Sequence, residues 1–472
     1  MRILPLLALL LIAPPAWGLA RHEITATLDP ATRWLSLLDV LTVEGGRVDL
    51  APAAGLRITR LEVDDVARAP VASLILPPGP HRLVVGYAGV LAPLGEDEPA
   101  AGPEGAFLPA GSGWLPRTAE RAAWRLEVTV PVPHRAVADG RLVSEAGGRA
   151  VFEQDHAGDP PSLFAGPWRV FERSGGLRAY LHPENAGLAD DYLALAAGHL
   201  AHFSQAIGDH PFEGFAIVSA PLPVGLGFQG LTWIGRSVLP RSFVRDRSLA
   251  HEILHDWWGN GVFVDRASGN WAEGLTTLMA DHDLAGEPAA AAMRLAWLRD
   301  FAALPAGRDL ALSAFVAKEH DAAQVVGYGK AAMVFHMLRD RLGAETFQRG
   351  LTLFWDRHRF QDAGWSDLRS AFEAASGADL SVFMDQWLNR PGAPAVCLAS
   401  AEPTPDGARI VLAQAEPYWD LVVPVVVGEA RHLVPLAGAR AEALLPGSGA
   451  VALDPRHDLF RKLAPGEAPP IL

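Results

Sequence analysis

From about residue 21 to 178 the chain runs in short apolar segments separated by Gly- and Pro-rich turns, and apolar residues recur at every second position in Trp124, Leu126, Val128 and Val130. A period of two places one face of each segment against a core, which predicts a β-sandwich over 21–178. Leu94 to Gly113 lacks this alternation and is expected to form a long loop. After Pro183 the period lengthens. Leu193, Ala197, Leu200 and Ile207 repeat at helical spacing, and "FAIVSA" at 215–220 reads as a strand. Further helices follow, carrying Phe335, Leu338 and Leu342, then Phe347, Leu351 and Phe354, then Leu368 and Phe372 behind Ser366 as expected N-cap. Gly343 and Gly377 are the expected helix stops. Pro391 and Pro394 cannot continue a helix, and the alternation returns in "ARIVLAQA", "DLVVPVVVG" and "RHLVPLAG". The expected fold class is therefore multidomain α+β: an N-terminal β-sandwich at 21–178, a mainly helical domain at 179–394 and a small C-terminal β-domain at 395–472.

Composition narrows the partners. A chain of 472 residues, half of them apolar, can fill two or three cores. The formal charge of −14 and the lack of any Lys/Arg block give no electrostatic footprint for nucleic acid. Residues 1–20 combine one Arg, an apolar run from Ile3 to about Ala13 and small residues at Gly18 and Ala20, the pattern of a signal peptide cleaved after Ala20. The expected mature protein is exported, periplasmic or secreted, and carries no transmembrane segment, since no later stretch spans a bilayer without charges. Cys397 is the only cysteine, so no intramolecular disulfide can form and stability must come from burial.

The candidate chemistry lies in "LAHEILHDWWGNGVFVDRASGNWAEGLTTLMADH", residues 249–282. Positions i and i+4 of a helix lie about 40° apart around its axis, so His251 and His255 can present imidazole nitrogens to one metal ion. Glu252 falls roughly 100° round from His251 and stands where a base for a water at that metal is needed. A catalytic zinc takes three protein ligands and leaves one position open. Glu273 opens a second expected helix, at a distance suited to an antiparallel return.

"HEILHDWWGN" followed by "GNWAEGLTT" resembles the pattern of the gluzincin zinc aminopeptidases of the aminopeptidase N type. "VVGYGKAAMVFHMLRDRLG" is similar to that family's Tyr-x-Lys-Gly helix start, and "GSGWLPR" to its Gly-Trp-Tyr-Pro segment. Four motifs in order, from about residue 21 to 395, imply a thermolysin-like catalytic domain between the two β-domains and a peptide substrate. The resemblance implies that His251, His255 and Glu273 hold Zn²⁺, that Glu252 activates water and passes its proton to the leaving amine, and that Tyr328 stabilises the oxyanion. Asp256 and Thr277 could support the ligands by hydrogen bonding, but a solvated or core-facing role is the expected one for both.

The departures concern specificity. The connection between His255 and Glu273 is one residue shorter than is common in the family, which a loop can absorb. Where the family has Gly-x-Met-Glu-Asn beside the substrate, this chain reads "PVGLGFQGLTWIG". Gly227 and Gln229 are the candidate substrate contacts, with Gln229 aligned to the glutamate that binds the substrate's free α-amino group; the alternative for Gln229 is a plain turn residue in a Gly-rich loop. A neutral amide carries no charge, so either another carboxylate serves, with the loop of Glu96, Asp97 and Glu98 the candidate, or a free N-terminus is not required. After Pro394 only a short β-rich segment remains, where many relatives carry a large helical domain; this predicts a more open site. Three readings follow: an exported zinc aminopeptidase, an endopeptidase or blocked-peptide hydrolase of the same fold, and a catalytically silent zinc-binding scaffold that presents peptides. Intact Glu252 and Tyr328 favour catalysis.

Overall fold

The computed structural model describes residues 20–464 except 97, 224, 306 and 318–320, together with 467. The expected signal peptide lies outside the described residues but for Ala20. Two compact units divide the chain, Met1–Trp168 and Arg169–Leu472.

In the first unit the strands Arg21–Asp29, Trp34–Val43, His81–Val90 and Ala122–Thr129 belong to an eight-stranded sheet. Arg21–Asp29 pairs antiparallel with Trp34–Val43 and parallel with Ala122–Thr129. Trp124, Leu126, Val128 and Val130 are buried, as their spacing predicts. The expected loop at Leu94 to Gly113 is corrected. It contains the strands Ala100–Gly102 and Gly105–Leu108, which pair with each other, and the second also pairs with Leu163–Gly166. Every residue of these two strands is buried, so neither face carries the polar alternation by which a strand is recognised.

The second unit begins ten residues before the boundary expected at 178. Arg169–Arg173 and Leu177–Leu181 form a hairpin, and Leu177–Leu181 pairs in parallel with Phe215–Ala220. Leu231–Gly235 and then Gly225–Phe228 complete this five-stranded sheet. Alternation alone assigns 169–178 to the preceding β-region, because the strand's partner lies beyond the intervening helix Ala189–Ile207. That helix buries Leu193 and Ile207.

Helices Ala331–Leu342, Ala344–His358, Trp365–Ser376 and Ser381–Asn389 follow. Gly343 and Gly377 stand at helix ends with positive φ, which costs glycine nothing. Ser366 is not the N-cap: Gly364 takes that place, and the Asp367 carboxylate accepts from its N–H at 2.8 Å. Two three-stranded sheets close the chain, one from Val396–Thr404, Gly407–Gln414 and Arg440–Leu445, the other from Leu421–Val427, Ala430–Leu436 and Val451–Leu453. They share one core with the helices through Trp387, Trp419 and Phe460, so the C-terminal β-region is part of the second compact unit. Among the described residues no helix is long and apolar enough to cross a membrane.

Candidate active site

The helix Leu249–Leu254 continues a π-helical turn, Val244–Ser248, and buries Leu249, Ala250, Ile253 and Leu254. This apolar face fixes the helix and leaves His251, Glu252 and His255 on its opposite side. The chain then reverses, and Asn270 prepares the return: its side-chain oxygen accepts from the Ala272 N–H at 3.0 Å and its amide donates to the Val316 carbonyl at 3.2 Å. Glu273 stands in the helix Ala272–Thr276 that starts there. A Cβ at Gly274 would lie 2.3 Å from that of Ala331, so only glycine lets this helix approach the one that follows Tyr328 so closely. Beneath the site Trp258, Trp271 and Phe354 meet in edge-to-face and tilted contacts at 5.0 to 6.1 Å, each such pair worth about 0.5–1.5 kcal/mol beyond its burial. Trp271 is further tied by its indole N–H to the Ala363 carbonyl at 2.7 Å.

His251, His255 and Glu273 converge. The Nε2 atoms of the two histidines lie 3.6 and 3.5 Å from the same Glu273 oxygen, and the three residues form a group able to hold a metal ion. The other face of each ring is committed: His255 Nδ1 faces the Trp258 carbonyl at 2.9 Å and His251 Nδ1 faces Asp281 at 3.2 Å. A ring whose Nδ1–H is donated keeps the Nε2 lone pair for a metal, so both rings are held in the tautomer that a cation needs. Charge points the same way. Burial opposes a proton on His251, but hydrogen bonds to Asp281 and Glu273 raise its pKa to about 10. Burial likewise opposes protonation of His255, and the charge of Glu273 overcomes it. Glu273 is held far below the carboxylate range by the two imidazoles, against its own burial. Glu273 and Asp281 thus set carboxylates against the two rings, and a divalent cation would take the place of the protons that they now favour.

Glu252 is raised from the carboxylate range by burial. Directly over it runs the strand Gly225–Phe228, at the edge of its sheet, where a Cβ at Gly227 would lie 3.0 Å from a Glu252 oxygen and 3.4 Å from the Cβ of His255. Tyr328 lies across the group, its ring 6.4 Å from that of His251 and nearly parallel to it. Burial, then the charge of Glu273 and a hydrogen bond to it, push the phenol well above its ordinary value, so it stays protonated.

Other expected residues lie elsewhere. Gln229 is in the hairpin turn after the edge strand, 7% exposed, its amide donating to the Asn260 carbonyl at 3.4 Å. Gly227, not Gln229, is the strand residue against Glu252. Asp256 supports neither histidine: its carboxylate receives His210 at 2.7 Å and the Gly230 N–H at 3.0 Å, tying the hairpin turn to the end of the histidine helix. The Thr277 hydroxyl has no hydrogen-bond partner among the described residues. Asp97 of the acidic loop lies outside the described residues.

Sequence spacing misses Asp281 because it lies eight residues after Glu273, off the same face of a regular α-helix. Thr277–His282 is π-helical, and its wider turn brings Asp281 back toward His251. A second grouping, His336, Asp340 and Asp458, also has ligand-like spacing. There Arg294 and Arg431 already pair with Asp458, and Arg431 with Asp340, so it is an ion-pair network.

Residues 246–387 match the Peptidase family M1 domain. The chain is 40% identical over 89 residues to aminopeptidase N of Lactococcus lactis subsp. lactis, covering 19% of this chain and 10% of that protein. It is 31% identical over 159 residues to aminopeptidase N of Escherichia coli (strain K12), covering 32% of this chain and 18% of the relative. With glutamyl aminopeptidase of Bos taurus the identity is 30% over 156 residues, 31% of this chain and 16% of the relative. The chain thus spans less than a fifth of the length of each of these three relatives.

Proposed function

We propose that this chain, whose residues 246–387 match the peptidase family M1 domain, is an exported zinc-dependent metallopeptidase that removes residues from peptide N-termini. The observation that carries this reading is the convergence of two imidazole Nε2 atoms on one Glu273 oxygen, with Glu252 and Tyr328 beside them. Zinc held by His251, His255 and Glu273 would supply Lewis-acid polarisation of the scissile carbonyl and acidify a water molecule. The Glu252 carboxylate takes the proton of the attacking water and returns it to the leaving amine. The Tyr328 phenol donates to the oxygen on which charge develops in the transition state. As the edge of its sheet, Gly225–Phe228 offers backbone groups along which an extended peptide can pair.

Asp281 orients His251 and raises its basicity as a ligand. An Asp281→Asn variant is expected to bind zinc roughly 10- to 100-fold more weakly, the usual cost of losing a hydrogen-bonded partner behind a metal ligand. Competition against a chelating dye measures this, and unchanged affinity would remove Asp281 from the site.

A second reading, hydrolysis of internal bonds or N-blocked peptides, is favoured by the neutrality of Gly227 and by the position of Gln229 in the turn. One peptide in free and N-acetylated forms decides between them. A charge-assisted hydrogen bond to an ammonium is worth roughly 1.5–3 kcal/mol and a neutral one about half, so an aminopeptidase is expected to prefer the free form by roughly 4- to 13-fold. Equal rates support the second reading. Zinc bound without turnover of either form would leave only the silent scaffold.

A further inference from the structure

Lys330 is fully buried, two residues after Tyr328, in the π-helical turn Val325–Lys330. Its ammonium donates to the carbonyls of Arg390 at 3.3 Å and Gly392 at 3.2 Å and lies 5.7 and 5.8 Å from the ring centres of Phe301 and Phe460. The Asp309 carboxylate accepts the Gly392 N–H, which places a negative charge near the same loop. An ammonium buried against neutral carbonyls costs more than an apolar side chain of equal length would, so stability by itself does not call for lysine here.

The neighbours of Tyr328 explain what the charge holds. Tyr328 is flanked by Gly327 and Gly329, where a Cβ would come within 2.2 Å of the Phe315 ring and 3.1 Å of Trp297. With no side chain on either flank, this turn is anchored by buried Val326 on one side and Lys330 on the other. The loop that Lys330 grips is fixed in turn. The Arg390 guanidinium lies 4.1 Å over the Trp419 ring and donates to the Tyr418 carbonyl at 3.0 Å. Further along, the Lys462 N–H donates to the Pro394 carbonyl at 2.8 Å, and Phe460 meets Phe301 edge-on at 4.9 Å.

We infer that Lys330 is a positioning residue: it pins the turn bearing Tyr328 to the Arg390–Gly392 loop, and through that loop to the C-terminal β-region, so that the phenol is held where the oxyanion forms. This rests on the role proposed above for Tyr328.

The test is a double-mutant cycle on zinc-loaded protein with one peptide: wild type, Tyr328→Phe, Lys330→Met and the double variant, with zinc content and thermal unfolding measured alongside. Lys330→Met is expected to lower kcat by about tenfold while KM stays within about twofold, and the double variant to be no more than about twofold slower than Tyr328→Phe, because a misplaced phenol has little left to lose. Zinc content should not change. Lys330→Gln, whose amide can still reach one carbonyl, should fall between wild type and Lys330→Met, and it carries the same cycle if Lys330→Met does not fold. Losses that multiply in the double variant, or a normal kcat in Lys330→Met, overturn the inference even if the variant melts at lower temperature. A wild-type rate in Tyr328→Phe alone removes Tyr328 from the mechanism, and this inference with it.

Discussion

A His255→Ala variant is expected to lose zinc and peptide hydrolysis together. His255 and His251 face one oxygen of Glu273 at 3.5 and 3.6 Å, and among the described residues the ligand group consists of these three side chains. Two remaining ligands do not make a zinc site, since catalytic zinc takes three from the protein. The loss of affinity should exceed the roughly 10- to 100-fold that removal of an outlying hydrogen-bond partner costs. Alanine also removes the ring that now satisfies the Trp258 carbonyl, which leaves the turn behind it less well held. Elemental analysis of the purified variant, together with its turnover of a free-amine peptide, measures both effects. Full zinc with undiminished turnover would mean that the metal sits elsewhere.

Glu252→Gln separates chemistry from metal binding. The side chain lies under Gly227 and beside both rings, and the amide nearly reproduces its volume, so zinc content and thermal stability should stay close to wild type. An amide cannot accept the proton of the attacking water. The expected loss in kcat is about 10²- to 10⁴-fold, the usual contribution of a positioned base, which corresponds to about 3–5 kcal/mol of transition-state stabilisation. KM should change much less, because the proton moves in the transition state and not on binding. Steady-state kinetics on zinc-loaded variant decide the matter. Wild-type turnover would take Glu252 out of the mechanism and return the silent scaffold or a different base to consideration.

Both expectations are legible in the amino-acid sequence, for a local reason. The spacing of His251 and His255 is a property of one helix turn, and the position of Glu252 between them follows from the same geometry. Glu273 follows from the need for a third ligand on a returning helix and Tyr328 from resemblance, and the fold brings both to the two histidines. Alternation likewise identifies Trp124, Leu126, Val128 and Val130 as a buried face, since a strand with one face in the core writes that face into every second residue. It fails at Ala100–Gly102 and Gly105–Leu108, where both faces are buried and small residues leave no pattern.

By itself, then, the sequence determined the β-rich, helical and β-rich order of the chain and the local geometry of the HExxH turn, because these depend on periodicities within single elements. Tertiary structure decided the rest. Leu177–Leu181 joins the sheet of the second unit because its partner, Phe215–Ala220, returns to it after a helix of 19 residues. Asp281 supports His251 because a π-helical turn shifts the face on which it stands. Asp256 turns toward His210 and Gly230, and Gly227, not Gln229, is the strand residue beside Glu252, because a strand's register is set by the strand it pairs with. In each of these cases the deciding contact joins segments far apart in the chain or depends on a change in backbone hydrogen bonding, and neither leaves a trace in the spacing of apolar residues.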